Sequence, residues 1–383
     1  MKKTPAPFAP FEHQPRTRLV FGEGSAGRAG ELAREIGLKT VLLVTDGGVV
    51  AAGHAERVRR SLEAARVQAI VFDKVRENPA TRDVAECLRA ARAAGIDGFI
   101  GLGGGSSLDT AKGCNFLLTN GGRMQDYWGV GKAGKAMLPW IAIPTTAGTG
   151  SECQSFALIA DERTHQKMAC GDPKAAARLA ILDPVLTLSQ PPRVAASTGM
   201  DALSHTVETA VTRRRNPVSL AYSREAFRLC WASFPRVLRN PDDLEARAGM
   251  LLGAALAGLA IENSMLGAAH AAANPLTAQY KVPHGQAIGL MLPQVVRFNA
   301  REAQAAALYA SLLPDADQLA QGLEALRRLA GMPCSLAECG IKRAAIPALA
   351  SEAVRQWTAA FNPRPMVRAD FIKLYEAAAE REG

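Results

Sequence analysis

Apolar residues along this chain follow two different rhythms. In the first half, short apolar runs rich in β-branched residues predict strands: "TVLLVTD" (40–46), "AIVFD" (69–73), "GFIGLGGG" (98–105) and "PWIAIPTT" (139–146). Between them, "AERVRRSLEAAR" (55–66) and "TRDVAECLRAARAAG" (81–95) repeat their apolar positions at helical spacing. A parallel strand pair needs a crossover of a dozen or more residues, usually a helix, so this alternation predicts a parallel sheet with helices on its faces. Around Asp183-Pro184 to Pro191-Pro192 the rhythm changes. Beyond it, stretches such as "AYSREAFRLCWASFPRVL" (221–238) and "EARAGMLLGAALAGLA" (245–260) are long, helical in period and rich in Ala and Leu, and no run reads as a strand. The double proline marks the expected boundary. Residues 1–190 form an α/β half and residues 191–383 an all-helical half, with no internal repeat and no low-complexity linker.

Length agrees with this division, since 383 residues exceed one ordinary core. At 48% hydrophobic and 21% charged, the composition is that of a soluble protein with ample side chain to bury. The 45 basic and 36 acidic residues leave a net charge of +9. The arginines are scattered, and the densest basic run is Arg213-Arg214-Arg215, so the pattern lacks the clustered footprint of a nucleic-acid binder. A solvated basic face that helps attract anionic cofactors is the better account. Seven cysteines, Cys87, Cys114, Cys153, Cys170, Cys230, Cys334 and Cys339, are odd in number, dispersed and without a CxxC pair. That excludes a disulfide scaffold and a thiolate zinc site and points to a reducing compartment. Met1-Lys2-Lys3 starts as a signal peptide does, but no apolar segment follows between Thr4 and Arg18, and no unbroken 18-residue apolar run occurs later. The chain is expected to be cytoplasmic, with no membrane partner.

Two small-residue turns follow predicted strands. "GLGGGSSLDTAKG" (101–113) leads from strand to helix. Its glycines allow close backbone approach, and the helix start offers free N–H groups to an anion such as a phosphate. A chain reversal uses the same glycines, and the spacing matches neither GxGxxG nor a Walker P-loop. "PTTAGTGSE" (144–152) carries Thr145, Thr146 and Thr149, whose hydroxyls can reach a second part of one cofactor or equally cap a helix. Asp46 ends its strand where a carboxylate accepts ribose hydroxyls. It also precedes Gly47-Gly48, and spacing alone favours an ordinary turn aspartate.

Chemistry of another kind lies in the helical half. "GMDALSH" (199–205) sets Asp201 and His205 one turn apart on one helix face, which suits two ligands of one ion, although such a pair is more often a surface hydrogen bond. The chain has six histidines. The other two beyond Pro191, His270 and His284, sit fourteen residues apart in "GAAHAAANPLTAQYKVPHG" (267–285). One carboxylate and three imidazoles suit zinc or iron(II), and the absence of thiolates argues against a purely structural zinc.

Together "GGGSSLDTAK", "PTTAGTGSE", "GMDALSH" and "HAAANPLTAQYKVPHG" resemble the iron-containing (group III) alcohol dehydrogenase family, in order and at family spacing over nearly the whole chain. The resemblance implies a Rossmann-like dinucleotide-binding domain, then a helical domain, with a divalent metal in the cleft between them. That fold is shared with dehydroquinate synthase. It assigns the metal, Fe2+ or Zn2+, to Asp201, His205, His270 and His284. It assigns cofactor contacts to Asp46, Asn78 in "RENPA", Gly104, Gly105, Ser106, Thr145, Thr146, Thr149 and Lys167. The implied activity is hydride exchange between NAD(H), preferred over NADP(H), and a small alcohol, aldehyde or ketone. A homo-oligomer is implied as well. Phe156, Ile261 and Leu266 are pocket candidates by position. One departure stands out: lactaldehyde reductases of this family carry a further histidine one turn after the third ligand, where this chain has Asn274. An amide there hydrogen-bonds but cannot ionise, which puts a proton-relay or nicotinamide-positioning role in question at this candidate catalytic position. Alternative activities on related scaffolds are a maleylacetate reductase and a dehydroquinate synthase-like lyase.

Overall fold

The computed structural model describes residues 10–164 and 166–379. Its strands are β1 (Arg18–Phe21), β2 (Thr40–Val44), β3 (Gln68–Phe72), β4 (Gly98–Gly103), β5 (Gly129–Val130), β6 (Trp140–Pro144), β7 (Phe156–Ala160), β8 (Lys167–Gly171) and β9 (Leu179–Leu182). Six of them form one sheet in the order β1-β9-β6-β4-β2-β3, with every pair parallel. β4 is buried at every position, as a central parallel strand covered on both faces must be. Leu43, Ile100, Ile141 and Ile181 project into one core with Leu32 and Val58 from the covering helices. Each such side chain stabilises the sheet by roughly 1.5–3 kcal/mol relative to exposure.

The strand order has a functional consequence. After β2 the chain steps outward to β3, then returns to lay β4 on the other side of β2. The sheet therefore reverses its winding between β2 and β4, and ligands of open α/β sheets bind outside the carboxyl ends of the strands at such a point. Asp46 follows β2 and the glycine turn follows β4, and the register Val44 to Gly101 and Gly103 to Pro144 sets these ends side by side.

Five strands escape the apolar pattern. β1 and β9 are four residues each and β5 is two, too short to show a period. β7 and β8 pair antiparallel and, with β5, make a separate three-stranded sheet. The four strands read from sequence are present: β3 keeps its length with its bounds one residue earlier, and β2, β4 and β6 are shorter, β2 because Asp46 caps a helix and β4 because the helix Gly105–Asn120 begins directly after Gly104.

Two units divide the described chain: 15–194 with 241–258, and 10–14 with 195–240 and 259–379. The stretch 241–258, placed in the helical half from sequence, falls in the sheet-bearing unit for a physical reason. A Cβ on Gly258 would stand 2.4 Å from the Gly150 carbonyl oxygen, so two glycines let helix and turn meet backbone to backbone. The helix concerned, Leu244–Asn263, is long and apolar enough by length and composition to cross a membrane. Met250, Leu251, Ala254, Ala255, Ala257, Ala260 and Ile261 are buried within the protein while Leu252, Leu256 and Leu259 are half-buried, and its buried Arg247 donates to the Pro241 carbonyl (2.9 Å) and to Gln190 Oε1 (3.2 Å), as in a core helix.

In the helical unit, no strand follows Leu182 among the described residues. The helix Ala268–Tyr280 ends at Lys281, whose φ of 58° turns the chain, and Pro283 caps the helix His284–Asn299. Gly285 explains the Pro-His-Gly break. A Cβ there would lie 1.9 Å from the Ser197 carbonyl oxygen, so only glycine lets this helix start against the helix Pro192–Val211. That contact delivers His284 to the helix carrying Asp201.

Candidate metal centre and nucleotide turn

The helix Pro192–Val211 is buried almost continuously from Gly199 onward, and Asp201 and His205 share one of its faces. Nε2 of His205 lies 3.3 Å from Asp201 Oδ1; Nε2 of His270 lies 3.5 Å and Nε2 of His284 3.7 Å from that same oxygen. Donors held at ~2.1 Å by one tetrahedral ion stand about 3.4 Å apart, so these separations match a shared ion. Asp201, His270 and His284 have ligand atoms all within 4.8 Å of one another. His205 joins them through Asp201 and stacks on His270, ring centroids 5.0 Å apart. Asp201 and His270 are buried, while the His284 side chain keeps 27% of its surface exposed. Asp201 Oδ1 and His270 Nε2 are buried atoms with no hydrogen-bond partner. Polar atoms are rarely left so without cause, and a cation between them satisfies both.

Electrostatics point the same way. Burial pushes the Asp201 carboxyl up, but His205, His270 and His284 more than offset it and hold the group well below the usual carboxylate range. Burial pushes His270 down, yet Glu208 and Asp201 prevail and raise it to about 9. Two buried carboxylates thus make a pocket that favours positive charge, whether a proton or a metal ion.

Glu208 was not singled out from sequence. Its Oε2 pairs with Nδ1 of His270, and its Oε1 accepts from the Ala269 N–H at 2.7 Å. The signal was present, because Asp201, His205 and Glu208 at i, i+4 and i+7 lie on one helical stripe. Asn274, one turn after His270, is half-buried and donates through Nδ2 to Gln356 Oε1 at 3.0 Å.

In the sheet-bearing unit the two small-residue turns meet. A Cβ on Gly104 would lie 3.3 Å from Thr146 Cγ2, and one on Gly105 would lie 2.8 Å from Thr149 Cγ2, so the glycines and threonines pack face to face. The Thr145 N–H donates to the Gly103 carbonyl at 3.0 Å. Gly104 caps the sixteen-residue helix Gly105–Asn120 without any side chain, leaving its first N–H groups for an anion. Beneath the turns, Lys112 is fully buried and its Nζ donates to the Ser151 carbonyl (2.7 Å), Ser151 Oγ (2.6 Å) and the Phe156 carbonyl (2.7 Å). Asp109 accepts from Ser151 Oγ at 2.6 Å and from the Leu158 N–H at 3.2 Å. This network ties the glycine-turn helix to the threonine turn.

Asp46 is the turn aspartate that spacing favoured: its Oδ1 accepts from Gly48 N–H (2.9 Å) and Val49 N–H (3.0 Å). Its Oδ2 faces the glycine turn, 3.4 Å from Ser107 Oγ. Asn78 is exposed with φ 53°, and its N–H donates to Ser106 Oγ at 3.2 Å. The next residue, Pro79, accepts from the Ala160 N–H at 2.9 Å, and Ala160 stands opposite Lys167 in the register of β7 and β8. Of the pocket candidates, Phe156 lies on β7 with its ring where a Gly171 Cβ would project; buried Ile261 and half-buried Leu266 belong to the helical unit.

A glycine-and-hydroxyl turn at the switch point of a parallel sheet and a buried carboxylate–imidazole cluster in a helical unit define a class: nucleotide-binding α/β proteins with a metal-competent centre. The family model for iron-containing alcohol dehydrogenase matches residues 15–184, and that for the C-terminal part of the Fe-containing alcohol dehydrogenase family matches residues 195–379. The chain belongs to the iron-containing alcohol dehydrogenase family. It is 34% identical to the NAD-dependent methanol dehydrogenase of Bacillus methanolicus over 94% of this chain and 97% of that one. Its fold matches the alcohol dehydrogenase from Oenococcus oeni with a TM-score of 0.91 at 30% identity, covering 95% of this chain and 98% of the other. It also matches sulfoacetaldehyde reductase from Bifidobacterium kashiwanohense in complex with NAD+, with a TM-score of 0.89 at 28% identity, covering 98% and 100%.

Proposed function

We propose that this protein is an NAD(H)-linked, metal-dependent alcohol dehydrogenase acting on small alcohols and the corresponding aldehydes or ketones. Asp201, His205, His270 and His284 would hold one divalent ion, Fe2+ or Zn2+. The observation that carries this reading is the convergence of three imidazole nitrogens, 3.3–3.7 Å from one buried carboxylate oxygen. When bound, the ion supplies Lewis acidity toward an alcohol or carbonyl oxygen, and the dinucleotide supplies the hydride carrier. The chain's own residues bind and orient. Gly104, Gly105 and Ser106 offer backbone N–H groups and a close surface for phosphate, and Thr145, Thr146 and Thr149 form the facing wall; Asn78 borders that turn through Ser106, and Lys167 would contact the cofactor as the family resemblance implies. Asn274 offers an amide, which can orient a hydroxyl but cannot carry a proton at neutral pH.

Asp46 supports a preference for NAD(H). With Oδ1 committed to the helix cap, Oδ2 is available to accept from a ribose 2′-hydroxyl, and its charge repels a 2′-phosphate. Seven free cysteines, five of them buried, support a reducing, cytoplasmic setting; a structural disulfide in protein from its native source would count against it. Assembly as a homo-oligomer is checked by sedimentation equilibrium, where a monomer would end that expectation. The test of the activity is a panel of small alcohols and aldehydes followed by NADH absorbance, with NADP(H) in parallel and the metal content of the same sample. Net NADH from a simple alcohol is expected, and Asp46→Gly should narrow the gap between the two cofactors. Absence of any net redox change would favour a lyase, and turnover confined to an acidic substrate would favour a maleylacetate reductase.

A further inference from the structure

We infer that Glu208 is the positioning residue of the metal centre: one carboxylate fixes which nitrogen of His270 faces the centre and anchors the helix that carries His270. The inference rests on reading Asp201, His205, His270 and His284 as ligands of one ion.

Glu208 is buried two helical turns beyond Asp201. Both its oxygens are engaged with the helix Ala268–Tyr280, whose Ala268 N–H also donates to Asn362 Oδ1 at 3.4 Å. Oε1 accepts from the Ala269 N–H at 2.7 Å, in the first turn, where Gly267 stands at the cap position without a capping side chain. The carboxylate thus serves as a cap donated by another helix. The approach is close, since a Cβ on Gly267 would stand 3.0 Å from Oε1 and press on the carboxylate. Oε2 pairs with Nδ1 of His270. A carboxylate can only accept, so Nδ1 carries a proton, and in the neutral ring that binds an ion the lone pair falls on Nε2. That is the atom 3.5 Å from Asp201 Oδ1. A histidine so held has its ring orientation restricted before any ion arrives, and an ion that displaces the Nε2 proton meets a lone pair already aimed at it.

Glutamine at 208 separates this role from mere support. Its shape is the same, and its amide oxygen can still accept from the Ala269 N–H. The amide NH2 then faces Nδ1 of His270, which must become an acceptor, moving the ring proton onto Nε2 and blocking the ligand lone pair. Glu208→Gln should therefore fold and bind NADH as the wild type does, while holding Zn2+ and Co2+ roughly 10- to 100-fold more weakly in chelator competition. Glu208→Asp keeps an acceptor on a shorter arm and should recover part of the loss. Zinc affinity of Glu208→Gln within about twofold of wild type, while His270→Ala has lost the ion, would overturn the inference and leave the ligand reading standing. A wild-type protein that binds no ion, or a His270→Ala variant that binds it as tightly as wild type, would instead defeat the ligand reading. A measurement on the unaltered chain stands beside the variants. Nitrogen-15 NMR of the zinc-loaded protein should show a hydrogen-bonded Nδ1–H that disappears in His270→Ala, and a proton on Nε2 of that ring would refute the assignment even if Glu208→Gln failed to fold.

Discussion

Replacing Lys112 with methionine removes a buried cation while keeping most of the length and volume of its stem. Lys112 is fully buried, with three donated hydrogen bonds of 2.6–2.7 Å to Ser151 and Phe156 and with Asp109 Oδ1 at 3.4 Å. The substitution leaves the Asp109 charge buried and two carbonyls without this donor. Removing one partner of a buried ion pair costs about 3–5 kcal/mol, and the apolar methionine offsets only a small part of it. We expect a loss in that range, read as a shift in urea midpoint at unchanged m-value. Because Ser151 belongs to the turn that also carries Thr145, Thr146 and Thr149, NADH affinity should fall with stability. The double variant Lys112→Met/Asp109→Asn removes the stranded charge and should recover part of the stability. A loss below about 1 kcal/mol for Lys112→Met, or no recovery in the double variant, would refute the reasoning that this pair ties the two turns together.

Other consequences concern single ionisations. Burial raises the Glu152 carboxyl from 4.5 to about 7. Between those values the native state holds a proton that the unfolded chain has released, so stability falls as pH rises across the window, by about 3 kcal/mol in total. Glu152→Gln should flatten that slope and stabilise the protein above pH 7; parallel stability profiles for the two forms, from denaturation at a series of pH values, would contradict it. Asn274→His places a titrating ring one turn beyond His270 and should add an ionisation to the pH profile of alcohol oxidation with metal content unchanged. Superimposable profiles would mean that position 274 takes no part in proton transfer.

Much of the site was legible because its chemistry is local. Asp201 and His205 announce themselves at i,i+4, and the glycine and threonine turns each follow a strand that the apolar pattern reveals. Glu208 shares the Asp201 stripe, yet a glutamate at i+7 reads as an ordinary helix residue until the fold brings His270 to it. The same applies to Lys112, whose partners Ser151 and Phe156 lie 39 and 44 positions away. Asp46 shows that two readings can both describe one side chain, since one oxygen caps a helix and the other faces the glycine turn. The small sheet of β5, β8 and β7 was invisible for a different reason. Its strands are short, and β7 and β8 pair antiparallel outside the parallel layer, so the spacing of strand and helix that betrays the main sheet does not apply to them.

The central claim is that the Asp201, His205, His270 and His284 cluster holds an ion on which alcohol oxidation depends. Its most direct test is to strip the protein with a chelator, return Zn2+ or Fe2+ in steps, and follow NADH formation, bound metal per chain and NADH binding in each sample. The account predicts that turnover vanishes on stripping, returns in proportion to one ion per chain and never returns in His270→Ala, while NADH binding persists throughout. Full turnover in a metal-free sample would contradict it.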